Sequence, residues 1–357
     1  MPGVLTKGEL IPEVVVTDMF NAVTGHSALA RLSNQRPIPF SGQREFIFSL
    51  DKEVDIVAEN AKKSPGGGTV TPKSIIPIKM EYSMRTSDEF MFADEEYRLG
   101  VTEQFVEGFG KKLARGIDLA AFHGINPRTG LASAVVGTNN FTDEITETIN
   151  YAPLMPDENL DSAAALIRGL GYDVSGIAMS PVFAAAMAKV KVNGVVQYPE
   201  FRFGQNPQAF AGMSNDVNQT VSYGGRSLRA VVGDFANCFK WGYSKEIPLQ
   251  VIEYGNPDND EEQGDLKGRN QVLLRCEAYV GWGILLPAAF VRIIDATSSA
   301  AGDGDSGESE VTYTAVTNPT GNPAQQGWYE YDSTNEEYTL TEDTEVVQDK
   351  TYYVAGT

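Results

Sequence analysis

The sequence predicts an α+β protein that ends in a small all-β module. Within residues 41–85, most apolar residues fall on alternate positions in two stretches, which is typical of extended strands with one buried face. Between residues 87 and 123, apolar residues recur at spacings of three and four, which indicates one long helix. After residue 296, a segment rich in Gly, Ser and Asp separates a tyrosine-rich region from the rest of the chain.

The net charge of the chain is strongly negative and unevenly spread. The 357 residues carry a formal net charge of -20. Twelve acids and one base from residue 300 onward account for -11, which leaves -9 for residues 1–299. Such a balance disfavours general adhesion to nucleic acid and to anionic membranes, because both need clustered Lys and Arg. No secretory signal and no apolar stretch long enough to span a membrane is expected.

Residues 1–40 are expected to form an N-terminal arm with a short helix over 12–33, which Pro37 and Pro39 end. The two cysteines, Cys238 and Cys276, lie in strand-like apolar runs. We therefore predict buried thiols and no disulfide framework.

Residues 41–85 are predicted to form an extended hairpin with a flexible tip at 62–69. A two-stranded ribbon is marginal in water, so its apolar face needs a partner surface. That partner is either a neighbouring subunit or another domain of the same chain. The candidate contact residues are the apolar positions of both arms: Phe46, Phe48, Leu50, Val54, Ile56, Ile76, Ile78, Met80 and Tyr82.

The long helix carries acids in its first half and bases in its second, as the helix dipole favours. Beyond it, residues 160–170 are predicted helical, 174–179 a strand, and Ser180 an N-cap for a helix that starts at Pro181 and runs to residue 190. These elements indicate a compact α+β unit.

Residues with catalytic chemistry are scarce. The two histidines are expected at a surface turn (His26) and as a cap or dipole partner at the end of the long helix (His123). The segment Gly304-Asp305-Ser306-Gly307 matches a serine-protease tetrapeptide, but no flanking strand would hold its serine for a triad. The glycines Gly302, Gly304 and Gly307 match a dinucleotide-binding pattern, but Asp303 and Asp305 would repel phosphate there. The sequence therefore predicts no enzyme and no cofactor.

One acidic run leaves two interpretations open. Its carboxylates could hold a hard cation, or they could form the solvated tip of a hairpin, which is the favoured reading because the EF-hand glycine and distal Glu are out of register. No metal site is predicted. The residues are Asp258, Asp260, Glu261, Glu262 and Asp265. The tyrosines after residue 311 could likewise stack on sugars, but they more often form the core of a small β fold.

Several short motifs occur in a fixed order along the chain. They are Ala58-Glu59, Gly130-Leu131, Gly204-Gln205-Asn206-Pro207 with Ala211-Gly212-Met213, Gly233-Asp234-Phe235 and Pro287-Ala288-Ala289-Phe290-Val291. In this order, around an extended hairpin and a long helix, residues 15–295 resemble the major capsid proteins of tailed bacteriophages, the Hong Kong ninety-seven type fold.

The resemblance implies a division of the chain into named parts. They are an N-terminal arm (1–40), an extended hairpin loop (41–85), a spine helix with a following peripheral segment (86–154), an axial domain (155–235), a peripheral sheet and closing hairpin (236–296), a flexible acidic linker (297–310) and a small β module (311–357). The first hairpin arms are expected to contribute to the peripheral sheet. In an assembled shell, the β module is expected on the outer surface.

The resemblance also implies a function in self-assembly. A major capsid protein forms hexamers and pentamers in the icosahedral head shell of a tailed bacteriophage, assembled in the host bacterial cytoplasm. DNA would be enclosed without sequence-specific binding, and no membrane is involved. Because only about 40 residues precede the hairpin, the resemblance implies a separate scaffolding protein or none, of which a separate one is expected, together with a portal.

Two alternatives stay open at the level of sequence. An encapsulin-like protein compartment would share the fold. A hydrolase or a carbohydrate-binding protein with a C-terminal binding module is an alternative of a different class, and the scarcity of histidine argues against it. Some family members crosslink a hairpin lysine to an asparagine of the next subunit, but no partner motif for such a crosslink can be mapped on this chain.

Overall fold

The computed structural model describes residues 26–92, 94–244 and 249–295, together with 313–315, 329–332, 337–340, 345–347, 351 and 353–355. The chain divides into two compact units, residues 1–302 and 303–357. Helices and strands both build the larger unit, so the predicted α+β class is confirmed. Most of the helix predicted over 12–33 and all of the linker predicted over 297–310 lie outside the described residues.

Short helices accompany one long helix in the larger unit. They are α1 (Ala28–Leu32), α2 (Glu95–His123), α3 (Phe141–Glu144), α4 (Pro156–Gly169), α5 (Pro181–Met187) and α6 (Phe235–Cys238). The long helix α2 starts later than predicted, because Asp88–Phe92 forms a separate 3₁₀ turn. It ends at Gly124, whose φ of 66° is the left-handed conformation that glycine adopts most easily.

The strands of the larger unit form several sheets. They are β1 (Gln43–Leu50), β2 (Gly68–Ile75), β3 (Ile78–Ser87), β4 (Thr148–Asn150), β5 (Gly176–Met179), β6 (Lys191–Val192), β7 (Val195–Val196), β8 (Ala209–Phe210), β9 (Met213–Val217), β10 (Leu228–Gly233), β11 (Phe239–Tyr243), β12 (Leu249–Ile252), β13 (Gln271–Ile284) and β14 (Phe290–Ile294). In the smaller unit, β15 (Tyr313–Ala315), β16 (Tyr329–Asp332), β17 (Glu337–Leu340) and β18 (Tyr353–Ala355) form a sheet in the order β15-β18-β16-β17.

The six-stranded sheet of the larger unit is covered on both faces. Its strands lie in the order β4-β14-β10-β5-β9-β8. In β10, Ala230 and Val232 pack in a core with α4 and α5, whereas Val231 packs in a second core with α1 and α2. Neighbouring strand residues point to opposite faces, so the continuous apolar run of β10 supplies both cores.

The helix–strand–helix order predicted after residue 160 is confirmed, as α4, β5 and α5. Ser180 is the N-cap of α5 and its Oγ accepts a hydrogen bond from the N–H of Phe183, 3.2 Å away. Pro181 occupies the first helical position, where its missing N–H costs nothing.

The last strand of the larger unit corrects the predicted domain boundary. We expected β14 in the peripheral sheet, but it pairs with β10 in the six-stranded sheet, with β4 on its other side. The reason is a close approach at Gly233, where a Cβ atom would lie 2.2 Å from Cδ1 of Phe290. The Gly233-Asp234-Phe235 and Pro287–Val291 motifs are therefore two sides of one contact.

The strand at 78–87 belongs to the body of the subunit. β3 pairs with β13 from Ile78↔Val280 to Ser87↔Gln271, while β11 and β12 line the other edge of β13. The prediction that residues 76–85 form the return arm of the hairpin is therefore wrong. Strict alternation shows that one face of a strand is apolar, but it does not identify the neighbouring strand.

A cluster of phenylalanines joins α2, both large sheets and α6. Phe141 is fully buried, and its ring centroid lies 5.3–5.8 Å from the centroids of four other rings. Those rings belong to Phe122, Phe235, Phe239 and Phe290. Tilted and edge-on aromatic pairs at such distances attract each other beyond their burial. Cys238 and Cys276 are buried as predicted, and burial raises the pKa of each thiol to about 12.

A buried carboxylate ties the start of α1 to the long helix. Asp118 is completely buried and accepts hydrogen bonds from Ser27 Oγ at 2.6 Å and from the N–H groups of Ala28 and Leu29 at 2.8 and 3.3 Å. Thr220 Oγ1 donates a fourth bond at 2.8 Å. Four donors around one buried charge satisfy it, and two of them are backbone groups that a helix start leaves unpaired.

The position of His123 corrects another expectation. The side chain is buried, and its Nε2 lies 2.9 Å from the carbonyl oxygen of Thr220. Burial lowers its pKa to about 4, so the ring is neutral at neutral pH and adds no charge to the helix end. The N–H of Gly124 closes the last turn instead, by donating to the carbonyl of Ala120.

The acidic run folds around an arginine of its own chain. Arg85 forms a salt bridge with Asp258 and donates hydrogen bonds to Asn256 Oδ1 at 2.7 Å and to the Gly264 carbonyl at 3.0 Å. The guanidinium holds the pKa of Asp258 below its usual value. Among the described residues, no group of three or more His, Cys, Asp or Glu side chains converges to hold a metal ion. The cation that this loop contacts is therefore a protein side chain.

Replacing Asp118 by alanine is expected to lower the free energy of unfolding by about 3 kcal/mol, because two backbone N–H groups would stay buried without an acceptor. Chemical denaturation followed by circular dichroism measures the change. The matched control is Asp161→Ala at an exposed position of α4, which should cost less than about 0.5 kcal/mol. Equal losses in the two variants would contradict the role assigned to Asp118.

The pH dependence of stability provides a second test of this site. Burial raises the pKa of Asp118 from 3.8 to about 6, so over this range the folded chain keeps a proton that the unfolded chain has lost. This contribution to stability is present below about pH 4 and is lost as the pH rises through about 6. Relative to Asp118→Asn, wild-type stability should fall by about 2 kcal/mol between about pH 4 and pH 7. A difference that stays flat or rises would refute the assignment.

Candidate assembly surface

The hairpin that leaves the body is a ribbon of β1 and β2. Their antiparallel register runs from Gln43↔Ile75 to Leu50↔Gly68. In the described part of the chain, neither strand pairs with a third. Two strands alone are marginal in water, so the faces of this ribbon decide how it is stabilised.

One face of the ribbon is apolar and exposed. Residues directly opposite in an antiparallel pair share a face, which places Pro72 beside Phe46 and Val70 beside Phe48. A Cβ atom on Gly68 would lie 3.0 Å from Cζ of Phe48, so the Phe48 ring covers that glycine. Phe46, Phe48 and Leu50 are 68%, 64% and 69% exposed, and Val70 is 54% exposed. We call Phe46, Phe48, Leu50, Val70 and Pro72 the apolar face.

The opposite face of the ribbon is turned toward the body, and it carries charged side chains together with the half-buried Ile47 and the buried Ile75. Glu45 forms a salt bridge with Lys240 of β11 at 2.8 Å, and Lys73, directly across from Glu45, pairs with Glu144 at the end of α3. Because successive strand residues alternate, this attachment requires the apolar face to point away from the same subunit. The local charges thus fix which side of the ribbon is available to a partner.

The base of the ribbon is anchored by one apolar side chain. Ile75 is 1% exposed. A Cβ atom on Gly283 would lie 2.9 Å from its Cγ1, and one on Gly281 would lie 3.2 Å from its Cγ2. The two glycines of β13 therefore leave the space that Ile75 fills. Burial of an isoleucine contributes about 1.5–3 kcal/mol, more than a surface ion pair at about 0–1 kcal/mol.

The tip at residues 51–67 is not a continuation of the strands. The N–H of Asp51 still donates to the Gly67 carbonyl at 3.1 Å, but its Oδ1 accepts the Gly67 N–H at 2.7 Å. This side-chain bond replaces the next step of the strand ladder. Val54 and Ile56, predicted in the first arm, lie in this irregular tip at 93% and 97% exposure, so the predicted strand is six residues too long.

The structure brings together only part of the predicted contact set. Phe46, Phe48 and Leu50 share the apolar face, and Ile76, between β2 and β3, is exposed. Ile78 and Met80 pack against the core of their own subunit, and the ring of Tyr82 lies 6.2 Å from that of Phe105 in α2. These three side chains therefore pack on the body of the subunit and are not part of the ribbon, because β3 pairs with β13.

Sequence reasoning missed Val70, Pro72 and Ile75. The return strand β2 contains Thr, Pro and Lys and shows no alternation of its own. A usable signal lay in β13, where Gly281 and Gly283 interrupt an apolar strand. Glycine in a strand interior often marks the close approach of another segment.

No helix in the described ranges is both long and apolar enough to cross a membrane.

Comparison with known proteins agrees with this architecture. A family model, the Phage capsid family, matches residues 7–294. A solved structure from Mycobacterium phage Ogopogo is 33% identical with a TM-score of 0.63, covering 76% of this chain and 92% of its own. One from Gordonia phage Cozz is 25% identical with a TM-score of 0.61, covering 77% and 86%. No curated protein matches the chain.

A more distant structure shares the fold alone. The capsid of a native GTA particle, computed with C5 symmetry, is 12% identical with a TM-score of 0.55 and covers 83% of this chain and 93% of its own. The family model spans the ribbon, the long helix and both large sheets, and ends where β14 ends. On this match and on the one-third identity to a phage structure, the chain belongs to the phage capsid family.

Proposed function

We propose that the apolar face joins neighbouring subunits in the hexamers and pentamers of an icosahedral phage head. As a member of the phage capsid family, the chain is a major capsid protein that forms the head shell of a bacteriophage. The single observation that carries the proposal is the orientation of the ribbon, which is held to its own body by two ion pairs and the buried Ile75 and leaves the apolar face in water.

The free energy available at this surface is large for one hairpin. Each Phe, Leu or Val side chain contributes about 1.5–3 kcal/mol when it is fully buried. Phe46, Phe48, Leu50 and Val70 are 54–69% exposed, so together they would contribute on the order of 4 to 8 kcal/mol on contact with a partner. The ion pairs that orient the ribbon are worth only about 0–1 kcal/mol each, so most of the free energy available to this hairpin lies on the apolar face.

Other partners follow from membership in a head shell. We expect a separate scaffolding protein and a portal, with assembly in the host bacterial cytoplasm. Packaged DNA would be enclosed without sequence-specific contacts, which the net charge of -20 supports. A structural role without catalysis agrees with the two histidines, one exposed and one buried and neutral.

The smaller unit lies beyond the family match. The family model ends at residue 294, and the four-stranded sheet of β15–β18 follows in a separate compact unit. We place this β module on the outer surface of the shell, where an added domain would not interrupt contacts made by the common fold. Cryo-electron density on the inner surface would refute that placement.

Replacing Phe48 by Asp is expected to raise the protein concentration needed for shell assembly at least about tenfold, because a lost contact of about 1.5–3 kcal/mol corresponds to that factor or more. Electron microscopy and sedimentation of the purified protein measure shells against free subunits. Far-ultraviolet circular dichroism should be unchanged, since Phe48 is 64% exposed within its own subunit.

The matched control for this experiment is Leu170→Asp. Leu170 is 57% exposed at the C-terminal end of α4, and its replacement by Asp introduces the same charge on a different element. Shells that form normally with Phe48→Asp, or that fail equally in both variants, would count against the apolar face as the assembly contact.

Removing residues 297–357 is expected to leave shell assembly intact. The family model ends at residue 294, and the core of the larger unit is built from elements up to β14. Electron microscopy of the truncated protein should show shells of the same diameter. Loss of shells with a folded subunit would mean that the β module takes part in the subunit contacts.

A further inference from the structure

A cavity of about 830 Å³ opens between α1, α2, α5 and the turn Pro199–Gly204. It lies on the body, at residues other than those of the ribbon, so shell assembly through the apolar face does not use it. Its volume falls within the range of small-molecule sites, about 300–1,000 Å³.

The lining of this cavity has the opposite charge to the chain. Among the residues that the structure describes, five cationic side chains line it, against a single carboxylate, Asp216. The cationic residues are Arg31, Lys111, Arg115, Lys189 and Arg202. They come from four separate places: α1, α2, the segment after α5, and the turn Pro199–Gly204. Convergence of like charges in a chain of net charge -20 calls for a compensating anion.

Two of the five cations already have carboxylate partners. Arg31 pairs with Asp216 at 2.6 Å, and Lys111 pairs with Glu107, one turn earlier in α2, at 2.6 Å. Asp216 is 4% exposed and also accepts a hydrogen bond from Asn206 Nδ2 at 2.9 Å. The positive charge of Arg31 offsets the negative charge of Asp216, so this pair together adds little net charge to the cavity.

The other three cations have no salt bridge with any residue that the structure describes. The guanidinium carbon of Arg115 lies 5.1 Å from the ring centroid of Tyr223, and that of Arg202 lies 5.2 Å from the ring centroid of Phe203. Aromatic faces orient a guanidinium but leave its N–H donors free. Lys189 is exposed and adds a point charge to these two planar donors.

We propose that this cavity binds a compact anion that carries several phosphate groups. Each phosphate offers strong acceptor oxygens that match guanidinium N–H pairs bidentately, and a lysine ammonium complements them. Donors that line one cavity from four separate parts of the chain fit a compact polyanion, whose charges lie close together, better than an extended peptide. The phosphates come either from a free polyphosphate or from the backbone of DNA, and the two sources are separated by experiment.

The test is isothermal titration calorimetry of the full-length chain with inorganic tripolyphosphate and, separately, with a short DNA duplex. We expect about one tripolyphosphate per subunit, with affinity that falls as salt rises. Arg115→Gln combined with Lys189→Gln should weaken binding at least about tenfold, since it removes two of the three unpaired donors. Circular dichroism checks that the variant is folded.

The matched control is Arg128→Gln combined with Lys191→Gln. It removes one arginine and one lysine at exposed positions outside this cavity, and Lys191 is only two residues from Lys189. We expect less than about a twofold change. Equal losses of affinity in the two double variants would show that the anion is attracted by surface charge in general, and this would overturn the proposal.

Additional comparisons in the same experiment distinguish the possible ligands. Duplex binding that tripolyphosphate displaces, and that only Arg115→Gln/Lys189→Gln weakens, would support the site and assign it to DNA. Tripolyphosphate binding without duplex binding would support the site and assign it to a free polyanion. Absence of binding by both, or hexaglutamate binding as tight as tripolyphosphate, would overturn the phosphate assignment. Binding is measured on subunits, so it succeeds or fails independently of shell assembly.

Discussion

The way in which the ribbon is attached to its own subunit determines what the rest of the molecule can do. Glu45 and Lys73 hold the opposite face against the body, so the apolar face has to point outward. Surface ion pairs are weak, at about 0–1 kcal/mol, whereas the exposed Phe and Leu side chains each represent about 1.5–3 kcal/mol of unrealised burial. The attachment therefore fixes the direction of the apolar face but leaves its side chains exposed to water. Only contact with another surface can bury them.

The body supports this arrangement through rigid packing at the base of the ribbon. Ile75 fills the space over Gly281 and Gly283 in β13, and residues 271–280 of β13 pair with β3. The ring of Phe141 then connects the sheets to α2. A loose base would let the apolar face fold back on its own subunit, so the dense core is part of the reason that the ribbon stays available for assembly.

The sequence predicted the helices and strands of this fold better than it predicted which strands pair with each other. The long helix, the α4–β5–α5 order and the N-cap at Ser180 depend on local patterns, and the structure confirms them. Strand pairing depends on residues far away in the chain. Local alternation therefore assigns the return arm of the hairpin to β3, whereas in the structure β2 forms that arm. The buried Asp118 was missed because its four donors come from α1 and from Thr220, which no local pattern connects to it.

β1 and β3 illustrate why alternation alone could not locate the assembly surface. The apolar residues of both strands fall mainly on alternate positions, yet Ile78 and Met80 of β3 pack against the core while the apolar face of β1 stays in water. The difference lies in their partners: β13 is a long apolar strand, whereas β2 contains Pro72 and little apolar surface. Pro72 offers no N–H to a neighbouring strand and is typical of a sheet edge. The ribbon is thus poorly suited to extend a sheet, and its apolar face is the part suited to meet another subunit.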